Sequence, residues 1–154
     1  MLEVLVAVLI MSFGLLGLAG LQLNNIKNNQ NSSVRSIATQ QAYDMADRMR
    51  ANRAGFEAGN YNQQQGTSKP ACFTSVGCTP QEMAQADVFM WSELNAAALP
   101  AGKGYICVDS TPNDGTPTAP ACDNIPNSPY VIKVWWDERQ ADGALTRFVT
   151  TYRD

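Results

Sequence analysis

The sequence predicts an α+β protein: a long N-terminal helix packed on an antiparallel β-sheet, with an extra helix and disulfide-closed loops. Three observations carry that reading. An uncharged apolar run, Val4 to Leu21, flows into an amphipathic stretch of helical period. Three later segments, Gly104–Asp109, Tyr130–Asp137 and Leu145–Tyr152, read as strands. All the cysteines, Cys72, Cys78, Cys107 and Cys122, fall beyond residue 70.

The apolar run VLVAVLIMSFGLLGLAGL holds no charge and one hydroxyl, Ser12. As a helix it spans about 27 Å, close to the hydrocarbon thickness of a bilayer. It reads as a membrane segment. A cleaved secretory signal needs a basic flank and a small-residue cleavage site, and the run continues into a helix instead. Glu3 stands at its lip. A carboxylate there is costly in lipid unless paired, which makes it a functional candidate; the competing reading is a first-turn acid answering the helix dipole. Gly14, Gly17 and Gly20 recur every third residue. They allow either close helix–helix packing in lipid or a segment that extends or locally unwinds.

Beyond the membrane segment, Val34, Ile37, Ala38, Ala42, Met45, Ala46 and Met49 form one apolar stripe at helical spacing. No proline occurs before Pro70, so one helix is expected from near residue 2 to about Arg53, roughly 75–80 Å long. The polar stretch Asn24–Ser33 belongs in water or against other subunits. The division expected is 1–24 as transmembrane or filament-core segment and 25–154 as a head that includes the amphipathic half of the helix.

In the head, Gly55–Gly66 reads as a polar connection. Thr79-Pro80-Gln81-Glu82 is a capping box with proline at the first helical position. The helix it opens should run to about Ala98, present Met83, Val88, Trp91, Leu94 and Ala98, and end before Pro100. Asp142-Gly143 marks a tight turn before the last strand. Trp135 and Trp136 should point to opposite faces of theirs, one into the core and one outward as a possible partner contact.

Composition excludes more chemistry than it offers. Histidine is absent from the 154 residues, which removes Ser-His-Asp and Cys-His catalysis and histidine-based zinc sites. Residues 55–154 carry six basic and eleven acidic groups, a net of −5, so nothing favours nucleic-acid binding. The cysteines lack paired zinc-ligand knuckles and read as two disulfides in an oxidising compartment. Four cysteines allow three pairings. Neighbours, Cys72–Cys78 and Cys107–Cys122, are favoured because the second bridge would pin the proline-rich segment 110–128 to the sheet. Asp109 to Gly115 is faintly like a calcium loop, but its glycine is displaced and no bidentate glutamate follows. No metal or cofactor is expected. Asp87, Glu93, Asp137 and Glu138 form no acid/base pair and read as solvated surface.

The stretch LEVLVAVLIMSFGLLGLAGLQ resembles the type IV pilin N-terminal segment, and more closely the PilV family of minor pilins. So do Cys78-Thr-Pro, the helix from Ala86-Asp87 to Trp91, Ala98-Leu99-Pro100, Cys107 with Asp109 to Gly115, Pro120-Ala-Cys122 and Tyr130 to Asp137. The resemblance implies a type IV pilin fold and no enzyme. It implies a minor pilin that, with other minor pilins and the major pilin, primes pilus assembly at a tip that can carry an adhesin. It places the chain in the inner membrane with a periplasmic head, then in the extracellular pilus (fimbrium). Glu3 matches the family's glutamate, which meets the N-terminal amine of a neighbouring subunit; the glycines fall where major pilins have a helix-breaking proline. The family's basic leader, cleavage glycine and N-methylated phenylalanine are not found before Leu2-Glu3, so prepilin peptidase processing and methylation are expected of the precursor. A minor pseudopilin of a type II secretion system and a solitary membrane-anchored binding module are the alternatives.

Overall fold

The computed structural model describes residues 2–138 and 145–153. Its elements are α1 (Leu2–Ala51), α2 (Arg53–Glu57), a short 3-10 turn (Pro70–Phe73), α3 (Pro80–Ala98), β1 (Lys103–Val108), β2 (Tyr130–Asp137) and β3 (Leu145–Tyr152). The chain divides into two compact units, 1–34 and 35–154. The Asp142-Gly143 turn lies outside the described residues.

In the first unit every large apolar side chain from Leu2 to Ile26 is exposed. This helix is long and apolar enough to cross a membrane, and none of its apolar window is buried. Helix continues through the polar stretch 24–33 without a break.

The second unit is built around the remainder of α1. Its buried residues are Ala38, Ala42, Met45, Ala46 and Met49, the apolar stripe that helical spacing picks out; Val34 and Ile37 are only half-buried. Trp91 of α3 reaches this part of α1, its Nε1 donating to the carbonyl of Gln41 at 2.8 Å. Helix α1 stops one or two residues before the expected Arg53, because Asn52 leaves helical geometry and caps α2 through Gly55 N. Two further contacts tie α1 to the strands: Arg35 meets Glu138 at 2.7 Å, and the Arg50 guanidinium sits 5.7 Å from the centre of the Tyr152 ring.

Helix α3 begins where its capping box lies. Thr79 accepts from Glu82 N while the Glu82 side chain accepts from Thr79 N, so two orphan amides are satisfied reciprocally. Its buried face, Ala84, Ala86, Asp87, Val88, Trp91 and Asn95, differs from the expected one. Leu94 and Ala98 are exposed. Asp87 is buried with Tyr61 and Arg48 as partners, and Asn95 donates to the Trp91 carbonyl one turn back on the same helix; the apolar pattern alone reveals neither.

The sheet is antiparallel in the order β1-β2-β3. From the register, Gly104, Ile106, Tyr130, Ile132, Val134, Trp136 and Phe148 share one face, and Cys107, Val131, Lys133, Trp135 and Arg147 share the other. The first face meets the helices: a Cβ on Gly104 would lie 2.2 Å from the Trp91 ring, and Phe56 of α2 stacks on Tyr130 and Tyr152, each at 5.0 Å. The second face is covered by the segment 109–128. The central strand is therefore buried on both sides, and Trp135 and Trp136 are each 2% exposed. This corrects the expectation that one of them faces outward: a proline-rich loop, not solvent, lies over the far face.

Candidate functional site

Three groups of residues are candidates for function, and none has the layout of a catalytic centre. The first is the N-terminal segment. Glu3 lies in the first turn of α1, where a carboxylate complements the helix dipole. At Gly14, Gly17 and Gly20 an added Cβ would meet nothing within 4 Å. Nothing inside this chain requires glycine at those positions.

The second group is the stapled loop. Cys107 and Cys122 are bonded across 6.1 Å between Cα atoms, tying the end of β1 to the far limb of the loop. Beneath it lies Lys133, fully buried in the middle of β2. Its ammonium has three donors. They find Asp114 Oδ1 at 3.0 Å, the Asp114 carbonyl at 3.2 Å and the Pro120 carbonyl at 2.8 Å. Asp109, also fully buried, adds an ion contact of 2.7 Å. Asp109 Oδ1 in turn accepts from Thr111 N. Arg147 on β3 holds the same limb, donating to the carbonyls of Asn113, Asp114 and Gly115. Asp123 accepts from the Ser110 amide and hydroxyl. Hydrogen bonds from Lys133 and then Thr111 hold the Asp114 carboxyl below the usual carboxylate range; Ser110 does the same for Asp123. Gly115 is at φ +81°, and a Cβ there would lie 2.3 Å from the Pro120 carbonyl.

The carboxylates of Asp109 and Asp114, with two loop carbonyls, already surround a cation, and the cation is Lys133. Among the described residues no other cluster of acidic residues or cysteines could hold a metal ion.

The third group joins the helices. Asp87 is 6% exposed. It accepts from the Tyr61 hydroxyl at 2.6 Å and pairs with Arg48 at 3.4 Å, while Asn52 donates to the same Tyr61 oxygen at 3.0 Å. Burial pushes the Asp87 carboxyl up, and Tyr61 and Arg48 partly pull it back. The Tyr61 phenol is pushed up as well, by burial first and by Asp87 next. Asp87 is thus no solvated surface acid. Tyr61 is fully buried, a core residue inside a stretch whose composition reads as a polar connection. Of the remaining acids, Glu138 binds Arg35 and Thr146 and Glu93 is exposed. The other disulfide, Cys72–Cys78, closes a small ring just before the α3 cap.

Sequence reasoning missed Lys133, Arg147 and the Asp87–Tyr61–Arg48 cluster. Lys133 did carry a signal: a lone cation at the centre of the apolar run YVIKVWWD demands a buried anion. Nothing local marks Asp87 or Arg147.

A helix whose first part is bare and apolar and whose second part is buried beside an antiparallel sheet, with a disulfide-closed loop over that sheet, is the architecture of a type IV pilin. Residues 20–89 match the Tt1218-like family model, described as type IV pilin Tt1218. The matched stretch runs from within α1 to Phe89 of α3; the sheet and the stapled loop lie beyond it. The match is a likeness to type IV pilins over that stretch, less than half of the chain. No curated protein and no solved structure matches the chain significantly.

Proposed function

We propose that this chain is a minor pilin of the PilV kind, which joins other minor pilins and the major pilin to prime a type IV pilus, in a tip complex that also holds an adhesin. The observation that carries the reading is the uncovered apolar surface from Leu2 to Ile26, headed by Glu3. An apolar surface of that size needs lipid before assembly and sister helices afterwards. Residues 1–24 are the part that exchanges one for the other, and 25–154 is the periplasmic head until the pilus leaves the inner membrane. Glu3 pairs with the N-terminal amine of a neighbouring subunit once prepilin peptidase has cut, and its methylase has modified, the precursor. The glycines let the segment adapt to its two surroundings.

The test is Glu3→Ala in the full precursor. The variant should remain in the membrane yet be lost from sheared pili, with piliation reduced. Normal incorporation would overturn the role given to Glu3, and a chain absent from sheared pili even with Glu3 in place, its function unchanged by Glu3→Ala, would point to a solitary anchored module. A deletion strain that loses protein secretion and keeps its pili would point to a pseudopilin instead.

A further inference from the structure

The sheet has two edges, and they are finished differently. The outer edge of β1 is closed by the segment before it: Gln63 N donates to the Ile106 carbonyl at 2.9 Å, and Val108 N donates to Asn62 Oδ1 at 2.8 Å. Ile106 and Cys107 are accordingly buried. The outer edge of β3 is bare among the described residues. Among the described residues, no hydrogen bond reaches the backbone of β3 from outside the sheet.

Natural edge strands are usually blunted by brevity, proline, a bulge or a projecting lysine. Strand β3 uses none of these. It runs for 8 residues, LTRFVTTY, in unbroken register with β2. Its one charge, Arg147, is turned onto the loop carbonyls. Phe148 and Val149 are left half-exposed. At each end of the strand is a recess. One, of about 450 Å³, is lined by Thr116, Pro117, Trp135, Leu145 and Arg147; the other, of about 370 Å³, by Phe56, Tyr130, Tyr152 and Arg153. An open strand edge is the arrangement that accepts an extended peptide, the backbone giving affinity, and the recesses at the two ends of the β2–β3 pair lie near where its terminal side chains would fall.

Charge chooses the occupant. The head is acidic, yet residues 145–153 carry Arg147 and Arg153 and no acid. A second copy of β3 would bring two more arginines and no carboxylate. We infer that the free edge of β3 receives an extended strand from a different polypeptide, one of alternating β-branched residues that carries carboxylates at its ends. The inference stands on the sheet alone and does not need the pilin reading.

The test uses the isotope-labelled full chain in detergent micelles. The probe is a capped peptide of about nine residues, alternating valine and threonine with a glutamate at each end, a length that matches an ordinary strand. The outward amides of β3 should exchange about tenfold more slowly with the peptide bound, while those of β1 are unchanged. Thr151→Lys, at an exposed position, should weaken binding about tenfold by placing a charge on the edge, and a peptide with lysine for glutamate should bind more weakly. Three results overturn the inference: no protection at millimolar peptide, equal protection by a proline-interrupted peptide, or β3 protection that rises with protein concentration alone, which would make the occupant a second copy.

Discussion

Lys133 holds its loop only because the loop surrounds it on every side. A buried ammonium without partners is very costly, and a buried pair that loses one member leaves the other uncompensated. Lys133→Met keeps the length and apolar stem but strands Asp109, fully buried. We expect a loss of about 3–5 kcal/mol of stability by urea unfolding, with part recovered when Asp109→Asn removes the orphan charge. The carboxylates also set a pH dependence of two signs. Asp114 and Asp123 titrate lower in the folded chain, held by Lys133 and Ser110 first. The unfolded chain then binds more protons, so their contribution is complete above about pH 4 and fades as the pH falls below it. Asp87 is raised by burial, so the folded chain holds the extra proton and stability declines as pH climbs from about 4 through its raised value. Melting temperature against pH should show a smaller acid limb in Asp114→Asn, with the Asp123 share left, and a smaller decline above it in Asp87→Asn.

At the scale of elements, local signals and tertiary demands contribute separately. The reciprocal Thr79–Glu82 cap is written in four consecutive residues, and Thr79→Ala should cost about 1 kcal/mol, read as a lower melting temperature with α3 otherwise intact. Helix α3 was also legible in its limits, since Pro80 and Pro100 bracket it. Its buried face was not. Periodicity ranks residues by hydrophobicity, while Asp87 is inside because Tyr61 and Arg48 meet it there. The strands were placed to within a residue by alternation and turn chemistry. Sequence could not show that β2 is covered twice, because the cover on its second face is a loop with no pattern of its own, held by Lys133, Arg147 and Cys107–Cys122.

For the molecule as a whole, the contrast lies between an N-terminal unit with no apolar burial of its own and a head with a finished core. Gly14, Gly17 and Gly20 matter at this scale, since, the local helix backbone aside, none of the described residues comes within 4 Å of the Cβ each lacks. Gly17→Ala should favour the helix by about 1 kcal/mol and leave the melting of the head unchanged. If the glycines serve adaptation between lipid and filament, the same change should lower the amount of protein recovered in sheared pili. Unchanged recovery would assign them to composition alone.

The amino-acid sequence by itself determined the class of this protein. The uncharged run, the stripe beyond it, the capping box and the three strand patterns are local and periodic, and hydrophobic spacing is enough to place them. Only the tertiary structure decided what fills the far face of the sheet, which acids are buried and which strand edge is left open. Those outcomes depend on where distant residues meet: an ammonium on β2 against a loop more than a dozen residues earlier, or a tyrosine from a polar connection against an aspartate on a helix. Such meetings carry no period along the chain, and they exist only once the chain has closed on itself.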